Sequence, residues 1–491
     1  MRRLCMIVLA VLMLAGCKMG PNYARPDTAT GESWKLSPAT SKSIANLPWW
    51  ELLKDPALQQ LIRTALGENL DLRTATASIE EFQASLTIAR YDLIPSVTYS
   101  GLGFLVHSTK SAIALPVGGT TAALPSESTG GTNFSTESAT AGVKWELDLW
   151  GRIRRSIEAA NAQFLAQMEN QRAIVLGLVS GIAQTYFDLR ALDLQIEIAK
   201  RTIKAWDESV RISRIRLEHG DISKLDLDQF EAEQAGTSAQ LADLEQQAAQ
   251  KENQLSVLLG RRPTTIARGL TLTDQVIPPE VPPGLPSDLL QRRPDILQAE
   301  QQLAAATANI GVAQAQRFPA VVLTGTGGVA SFQLTGLASQ GPFAALGALG
   351  TISGPIFNAT ALGYQVKVNE ARTTQALTQY QRMIIMAFQE VENALIAVQK
   401  TRERQAAQER QVAALQSALG FATQRYHGGR ASYLDVLTAQ RNLYVAELSL
   451  VETHRLQLAS VVQLYKALGG GWSPESLGQA VPAVVVGKGG E

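Results

Sequence analysis

Apolar positions recur at helical spacing over several long stretches of this chain. Leu58, Leu61, Ile62, Ala65 and Leu66 lie on one face of a pattern running from 49 to about 94, where Pro95 stops it. The chain reads as helical again from 151 to about 260, with one break near His219-Gly220. Arg293-Pro294-Asp295 opens another helix, which Pro319 stops as Pro95 did, and 359 to about 468 is helical with a break at Gly428-Gly429. Within these stretches the spacing is that of a coiled coil. Ile203, Trp206, Val210, Ser213 and Leu217 alternate steps of three and four, as do Val412, Leu415, Leu419, Ala422 and Tyr426. Leu434, Leu437, Tyr444, Leu448, Val451, Leu458, Val462 and Tyr465 hold the register further on, with Arg441 and Arg455 filling two of its positions. Such stripes need partner helices to cover them. Roughly 65 residues before each break would give helices of about 100 Å at 1.5 Å per residue.

Four segments read instead as strands: 96–109, 136–149, 321–334 and 343–357. Each is about the length that crosses a bilayer at a tilt, roughly 9 to 11 residues. Val97, Tyr99 and Leu105 share one parity, as do Val143, Trp145 and Leu147, which fits one lipid-facing side. Trp145, Trp150 and Phe357 fall near strand ends, where either an aromatic girdle or a packed strand-to-helix corner would place them. After the leader no apolar run of 18 residues occurs, so a membrane crossing would have to use strands closed into a barrel. Four strands cannot close one, because the smallest transmembrane barrel has about eight.

The elements come twice in the same order. Gly220, Leu225, Asp226 and Gly260 map onto Gly429, Leu434, Asp435 and Gly469 with one constant shift. Asp71 and Asp295 precede Pro95 and Pro319 by equal distances. Two tandem copies imply a pseudo-symmetric fold. We therefore divide the chain into a signal peptide (1–16), an extended tether (17–46), a first repeat (47–275), a proline-rich connector with a second repeat (276–471) and an irregular tail (472–491).

The leader carries Met1-Arg2-Arg3, an apolar stretch and then Leu14-Ala15-Gly16-Cys17, the pattern of a secretory signal. The ending resembles a bacterial lipobox, which would make Cys17 the acylated first residue of the mature chain. Cys5 lies inside the signal, so no internal disulfide is expected. In 491 residues, 44 basic side chains balance 44 acidic ones, so no charge excess steers the chain to nucleic acid.

Several motifs, taken in order, resemble one family. They are Gly20-Pro21-Asn22-Tyr23-Ala24-Arg25-Pro26 after Cys17, then Trp49-Trp50, then Trp145-Glu146-Leu147-Asp148-Leu149-Trp150-Gly151-Arg152. Arg293-Pro294-Asp295, Gly354-Pro355-Ile356-Phe357, Arg425-Tyr426 and Tyr433-Leu434-Asp435-Val436-Leu437 follow. Together they resemble the TolC/OprM outer-membrane factors, and within them the lipoprotein branch that serves resistance-nodulation-division (RND) pumps. The resemblance runs from Cys17 to about Gly471. It implies a mainly α fold with β, in which a homotrimer builds a twelve-stranded transmembrane barrel from four strands per chain. That barrel would continue into a long periplasmic helical barrel with an equatorial belt made by the connector and the termini. The implied role is the outer-membrane channel of a tripartite efflux system. Its partners would be a periplasmic membrane-fusion adaptor, an inner-membrane RND pump and outer-membrane lipid, with no cofactor.

By the same resemblance Asp435 matches an acidic ring at the periplasmic entrance, and Leu434 forms an apolar collar beside it. Arg430 and Tyr426 match residues that latch neighbouring helices. Thr438 stands where some members carry a second aspartate. The turns at Gly220, Asp221 and Ser223 and at Gly429 and Ser432 would meet the adaptor. A helix-capping carboxylate is the plainer reading for Asp435 and for its twin Asp226. An enzyme is disfavoured, since neither phosphate-loop nor zinc-ligand spacing is found: Gly487-Lys488 lacks the upstream glycines, and His107, His219, His427 and His454 lack partners at ligand spacing. A purely structural coiled-coil lipoprotein would leave the paired strand segments unexplained. Protein export through the same kind of channel is the third alternative.

Overall fold

The computed structural model describes residues 18–28, 34–35, 49–108, 115–117, 120–122, 132–276, 286–331, 345–355 and 359–470. The signal peptide, Cys17, the prolines of the connector, Phe357 and the tail from Trp472 lie outside the described residues.

In chain order the helices are α1 (Trp49–Leu52), α2 (Pro56–Glu68) and α3 (Leu70–Tyr91), followed by the strands β1 (Ser96–Ser108), β2 (Leu115–Val117), β3 (Thr120–Ala122) and β4 (Thr132–Leu147). The long helices α4 (Arg152–Glu218) and α5 (Lys224–Leu258) complete the first half. The second half repeats the order with α6 (Leu289–Arg292), α7 (Pro294–Ala315), β5 (Ala320–Ser331), β6 (Ala345–Ser353), α8 (Ala359–His427) and α9 (Tyr433–Ala467). The long helices α4 and α8 have 67 and 69 residues, and α5 and α9 have 35 each. No helix among the described residues is long and apolar enough to cross a membrane. The chain forms two compact units, and each draws on both sequence halves.

The first unit takes the described residues within Met1–Ala24, Glu81–Phe164 and Gln302–Leu377 and carries a four-stranded antiparallel sheet in the order β1-β4-β5-β6. Pairing fixes which residues share a face. Val97 lies opposite Val143, Tyr99 opposite Ala141 and Trp145 opposite Leu323, giving one apolar face. Ser96 opposite Lys144, Thr98 opposite Gly142 and Ser100 opposite Thr140 form the polar face, where the Ser100 and Thr140 hydroxyls are 2.8 Å apart. The apolar face is bare within the chain: Tyr99 is 93% and Val97 73% exposed.

The segment from Trp145 to Arg152 turns the chain from strand to helix, and almost every residue in it has a task. Glu146 receives a forked pair of bonds from Arg152 at 2.9 and 3.0 Å. Asp148 caps α4 by accepting the Ile153 and Arg154 amides, both at 3.0 Å. Gly151 takes φ +75°, which a residue with a Cβ adopts only under strain. The indole N–H of Trp145 donates to Leu93 O, and that of Trp150 donates to Pro319 O while its ring stacks on Phe318. Both tryptophans are therefore corner residues, and Trp145 also sits on the apolar face.

The second unit takes the described residues within Arg25–Glu80, Leu165–Gln301 and Thr378–Glu491. Its core joins α2, α4, α5, α9 and the segment after α5, through Leu58, Ile62, Ile182, Tyr186, Phe187, Leu255, Ile266, Val462 and Tyr465. At its centre is Asp55, fully buried at the start of α2. Its carboxylate accepts from the Ala57 and Leu58 amides, the Tyr186 hydroxyl (2.8 Å), Leu270 N (3.2 Å) and Gln275 Nε2 (2.7 Å). Burial and then the neighbouring carboxylate push the Tyr186 hydroxyl pKa up, so the phenol stays a donor. Gly269 makes this approach possible, because a Cβ there would lie 2.1 Å from Asp55 Oδ1.

The two copies use one joint at the end of each shorter long helix. Gly260 and Gly469 both take positive φ, +72° and +67°. In the first copy Asn69 Nδ2 donates to Leu258 O at 2.8 Å; in the second Arg293 Nη1 donates to Ala467 O at 3.0 Å. Arg293 is buried and balanced by Asp295 and Glu390, each 2.7 Å away.

Asp55→Ala leaves several buried donors without an acceptor, at about 1–3 kcal/mol each. Thermal unfolding should show a large drop in the midpoint, and a smaller one for Tyr186→Phe. Equal stability of Asp55→Ala and the parent protein contradicts the central role of this carboxylate.

Candidate functional site

The long helices reverse direction at two tips, and the same local chemistry builds both. At the end of α4 the Gly220 amide bonds to Leu217 O and the Asp221 amide to Arg216 O, with Gly220 at φ +78°. At the end of α8 the Gly429 amide bonds to Tyr426 O and the Arg430 amide to Arg425 O, with Gly429 at φ +67°. This is the Schellman termination, which needs a left-handed residue after the last helical one. The following helix then starts on a capped serine. Asp226 Oδ2 accepts from the Ser223 amide at 3.0 Å and the Ser223 hydroxyl at 2.8 Å. Asp435 Oδ2 accepts from the Ser432 amide at 3.1 Å. Both acidic candidates therefore act as first-turn caps, whatever else they do.

The remaining candidates divide by environment. Leu434 is 56% exposed and its twin Leu225 64%, and Asp435 lies beside Leu434 on the open surface. Gly220, Asp221 and Ser223 at the first tip and Gly429, Arg430 and Ser432 at the second are exposed too. Thr438, one turn beyond Asp435, is half-buried. Arg430 makes no ion pair among the described residues. Tyr426 is half-buried, and its ring meets Tyr433 edge-on at 5.5 Å while the Arg216 guanidinium lies 4.7 Å above it. Within one chain Tyr426 thus works through packing. Cys17 lies outside the described residues.

The sequence reading missed a cluster that ties the two hairpins of one chain together near their tips. Phe230 of α5 packs on Tyr433 of α9 with ring centres 3.7 Å apart, and Trp206 of α4 meets Phe230 at 6.3 Å. Val210, Leu227 and Leu437 complete it. Trp206, Val210 and Leu437 were legible as stripe positions. Tyr433 carries a signal too: the repeat aligns it with Lys224, so an aromatic stands where the first copy has a charge paired with Asp228. Burial pushes its hydroxyl pKa up. No group of acidic, histidine or cysteine side chains among the described residues could hold a metal ion.

Comparison with known proteins identifies the class. The family model "Outer membrane efflux protein" matches residues 61–261 and 285–470. The chain belongs to the outer membrane efflux protein family, and outer membrane is accordingly its location. The chain is 36% identical over 490 residues to the probable efflux pump outer membrane protein TtgC of Pseudomonas putida, covering 96% of each chain. It is 32% identical over 467 residues to the cation efflux system protein CusC of Escherichia coli, covering 94% of this chain and 97% of that one. Among solved structures, the open state of the MtrE outer membrane channel of Neisseria gonorrhoeae superposes with a TM-score of 0.81 at 31% identity, covering 93% of this chain and 98% of that one.

Removing either capping carboxylate should loosen its own helix start. Asp226→Ala and Asp435→Ala should each cost about 1 kcal/mol. Amide exchange should speed up in the first turn of α5 in one variant and of α9 in the other. Unchanged exchange in both contradicts the capping geometry.

Proposed function

We propose that this chain is the outer-membrane channel subunit of a tripartite efflux system. Three copies form a gated tube that passes small molecules (drugs, toxic compounds or metals) from an inner-membrane RND pump and its periplasmic adaptor to the exterior. The observation that carries this reading is the sheet. Among the described residues it has four strands, two open edges and a bare apolar face on which Tyr99 and Val97 are strongly exposed. Open edges and unsatisfied backbone are not tolerated in lipid. Closure by three copies removes the edges and turns Val97, Tyr99 and Val143 to the acyl chains, leaving the hydroxyl-rich face with Lys144 for the lumen.

The exposed tips support the rest. In the trimer three Asp435 carboxylates face one another at the periplasmic entrance and favour cations, and three Leu434 side chains narrow it. Arg430 and Tyr426 contact the neighbouring helices, and opening moves the hairpins outward. Gly220, Asp221, Ser223, Gly429 and Ser432 meet the adaptor. Cys17 is acylated and anchors the N-terminus in the inner leaflet; lipid attachment alone holds a chain at a membrane without spanning it.

Planar-bilayer recording tests the channel. The wild type should give small, cation-preferring currents, and Asp435→Ala should give larger and less selective ones. No current from a folded, membrane-inserted protein overturns the channel in favour of a structural lipoprotein. Photo-cross-linkers at Asp221 and Ser432 should capture the adaptor; failure at both positions overturns tip docking alone.

A further inference from the structure

Residues 18–22 have no hydrophobic periodicity, yet they are built into the first unit. The Met19 amide donates to Trp150 O at 3.1 Å. Gly20 takes φ +85° and crosses α7 at Gly311 so closely that a Cβ on Gly20 would lie 2.4 Å from Gly311 Cα. A Cβ on Gly311 would in turn lie 2.6 Å from Met19 O and 2.8 Å from the Arg155 side chain. Two backbones therefore meet with no side chain between them.

Arg155 closes over this crossing. The residue is fully buried. Its Nε donates to Met19 O at 2.8 Å, its Nη2 to Gly20 O at 2.8 Å and to Asn22 Oδ1 at 2.9 Å, and its Nη1 to Glu158 Oε2 at 2.8 Å. Glu158 also pairs with Lys18 at 2.6 Å. Burial alone would raise the Glu158 pKa, but the bonds from Lys18 and Arg155 outweigh it and hold the carboxyl below its usual range. Three of the four bonds from this guanidinium go to the segment itself. If the segment left, the guanidinium would lose three of its four acceptors and keep only Glu158. Arg152 and Arg154, its neighbours in sequence, are instead occupied by Glu146 and Asp148 at the strand-to-helix corner.

We propose that Arg155 is a positioning residue for the N-terminus, clamping residues 18–22 as a strap onto the strand-bearing unit. Cys17 is one peptide bond from Lys18, about 3.8 Å between Cα atoms. Holding the strap therefore fixes where acyl chains on Cys17 enter the membrane, beside the Trp150 corner. The clamp and the acyl group are then two separate holds on the N-terminus. The clamp does not depend on Cys17 being acylated; only its bearing on the lipid rests on that reading.

Trypsin digestion of the purified full-length protein in detergent tests the clamp, with intact mass reporting cleavage after Lys18. The wild type should resist. Arg155→Gln should be cut about tenfold faster or more, as local opening becomes easy. Gly311→Ala should behave similarly with Arg155 intact, because it crowds Met19. Asn22→Ala, which removes one bond at the surface, should show a smaller acceleration and keeps the test usable if Arg155→Gln fails to fold. Cys17→Ser, exported behind a signal for non-lipidated proteins, should resist as the wild type does. Fast cleavage of the wild type overturns the clamp, as does resistance of folded Arg155→Gln. Fast cleavage of Cys17→Ser alone overturns it too, by assigning the hold to the acyl group. The intact mass of the undigested wild type reports acylation separately, so failure of the lipid reading is distinguishable from failure of the clamp.

Discussion

Long helices that must stop and return depend on one backbone conformation, the left-handed residue after the last turn. Gly220, Gly260, Gly429 and Gly469 supply it, all at φ between +67° and +78°. At each, two amides turn back onto the carbonyls of the final turn. A Cβ is strained at that φ, and at Gly260 and Gly469 it would also press on Glu68 or Arg293. These four points set where the tips lie and where α5 and α9 meet the buried joints at Asn69 and Arg293. The stripes then fall in register, and the aromatic cluster around Phe230 and Tyr433 can bridge the hairpins.

This constraint is also why so much of the fold could be read from the chain. Glycine is the residue for a left-handed position, so the repeated glycines marked the helix ends directly. Alternation marked the strands: the apolar parity of Val97, Tyr99, Val143 and Trp145 is the face that pairing produces. The motif from Trp145 to Arg152 was recognisable before its tasks were known, and the structure supplies them as a fork, a cap, a left-handed glycine and two anchored indoles. The stripe after Gly428-Gly429 held except at Leu434 and Arg441, which are exposed; at the start of α9 it is Tyr433, not Leu434, that turns to Phe230 of α5.

What the sequence hid was polar and long-range. Asp55 before Pro56 looks like an ordinary helix cap, and nothing local announces Tyr186, Leu270 and Gln275 as its partners. Arg155 is one of three arginines within four residues, and only burial separates it from Arg152 and Arg154. Residues 18–25 carry no periodicity because their hold is polar, from Arg155 to Met19 O, Gly20 O and Asn22 Oδ1, from Lys18 to Glu158 and from Arg25 to Glu300, which leaves no repeating pattern. The family resemblance, not the repeat, singles out Asp435 as the candidate gate. The repeat located Asp435, but it located Asp226 equally well, and the structure gives both carboxylates the same capping bond to a serine amide.

That equivalence separates a gate from a cap. The two variants Asp226→Ala and Asp435→Ala remove matched caps at matched tips, so any leak due to a frayed helix start should appear in both. The decisive measurement is the ratio of their single-channel conductances, each against the wild type in the same bilayer. If Asp435 forms the constriction, only its variant conducts more. Equal increases, or none in either, contradict a gate at Asp435.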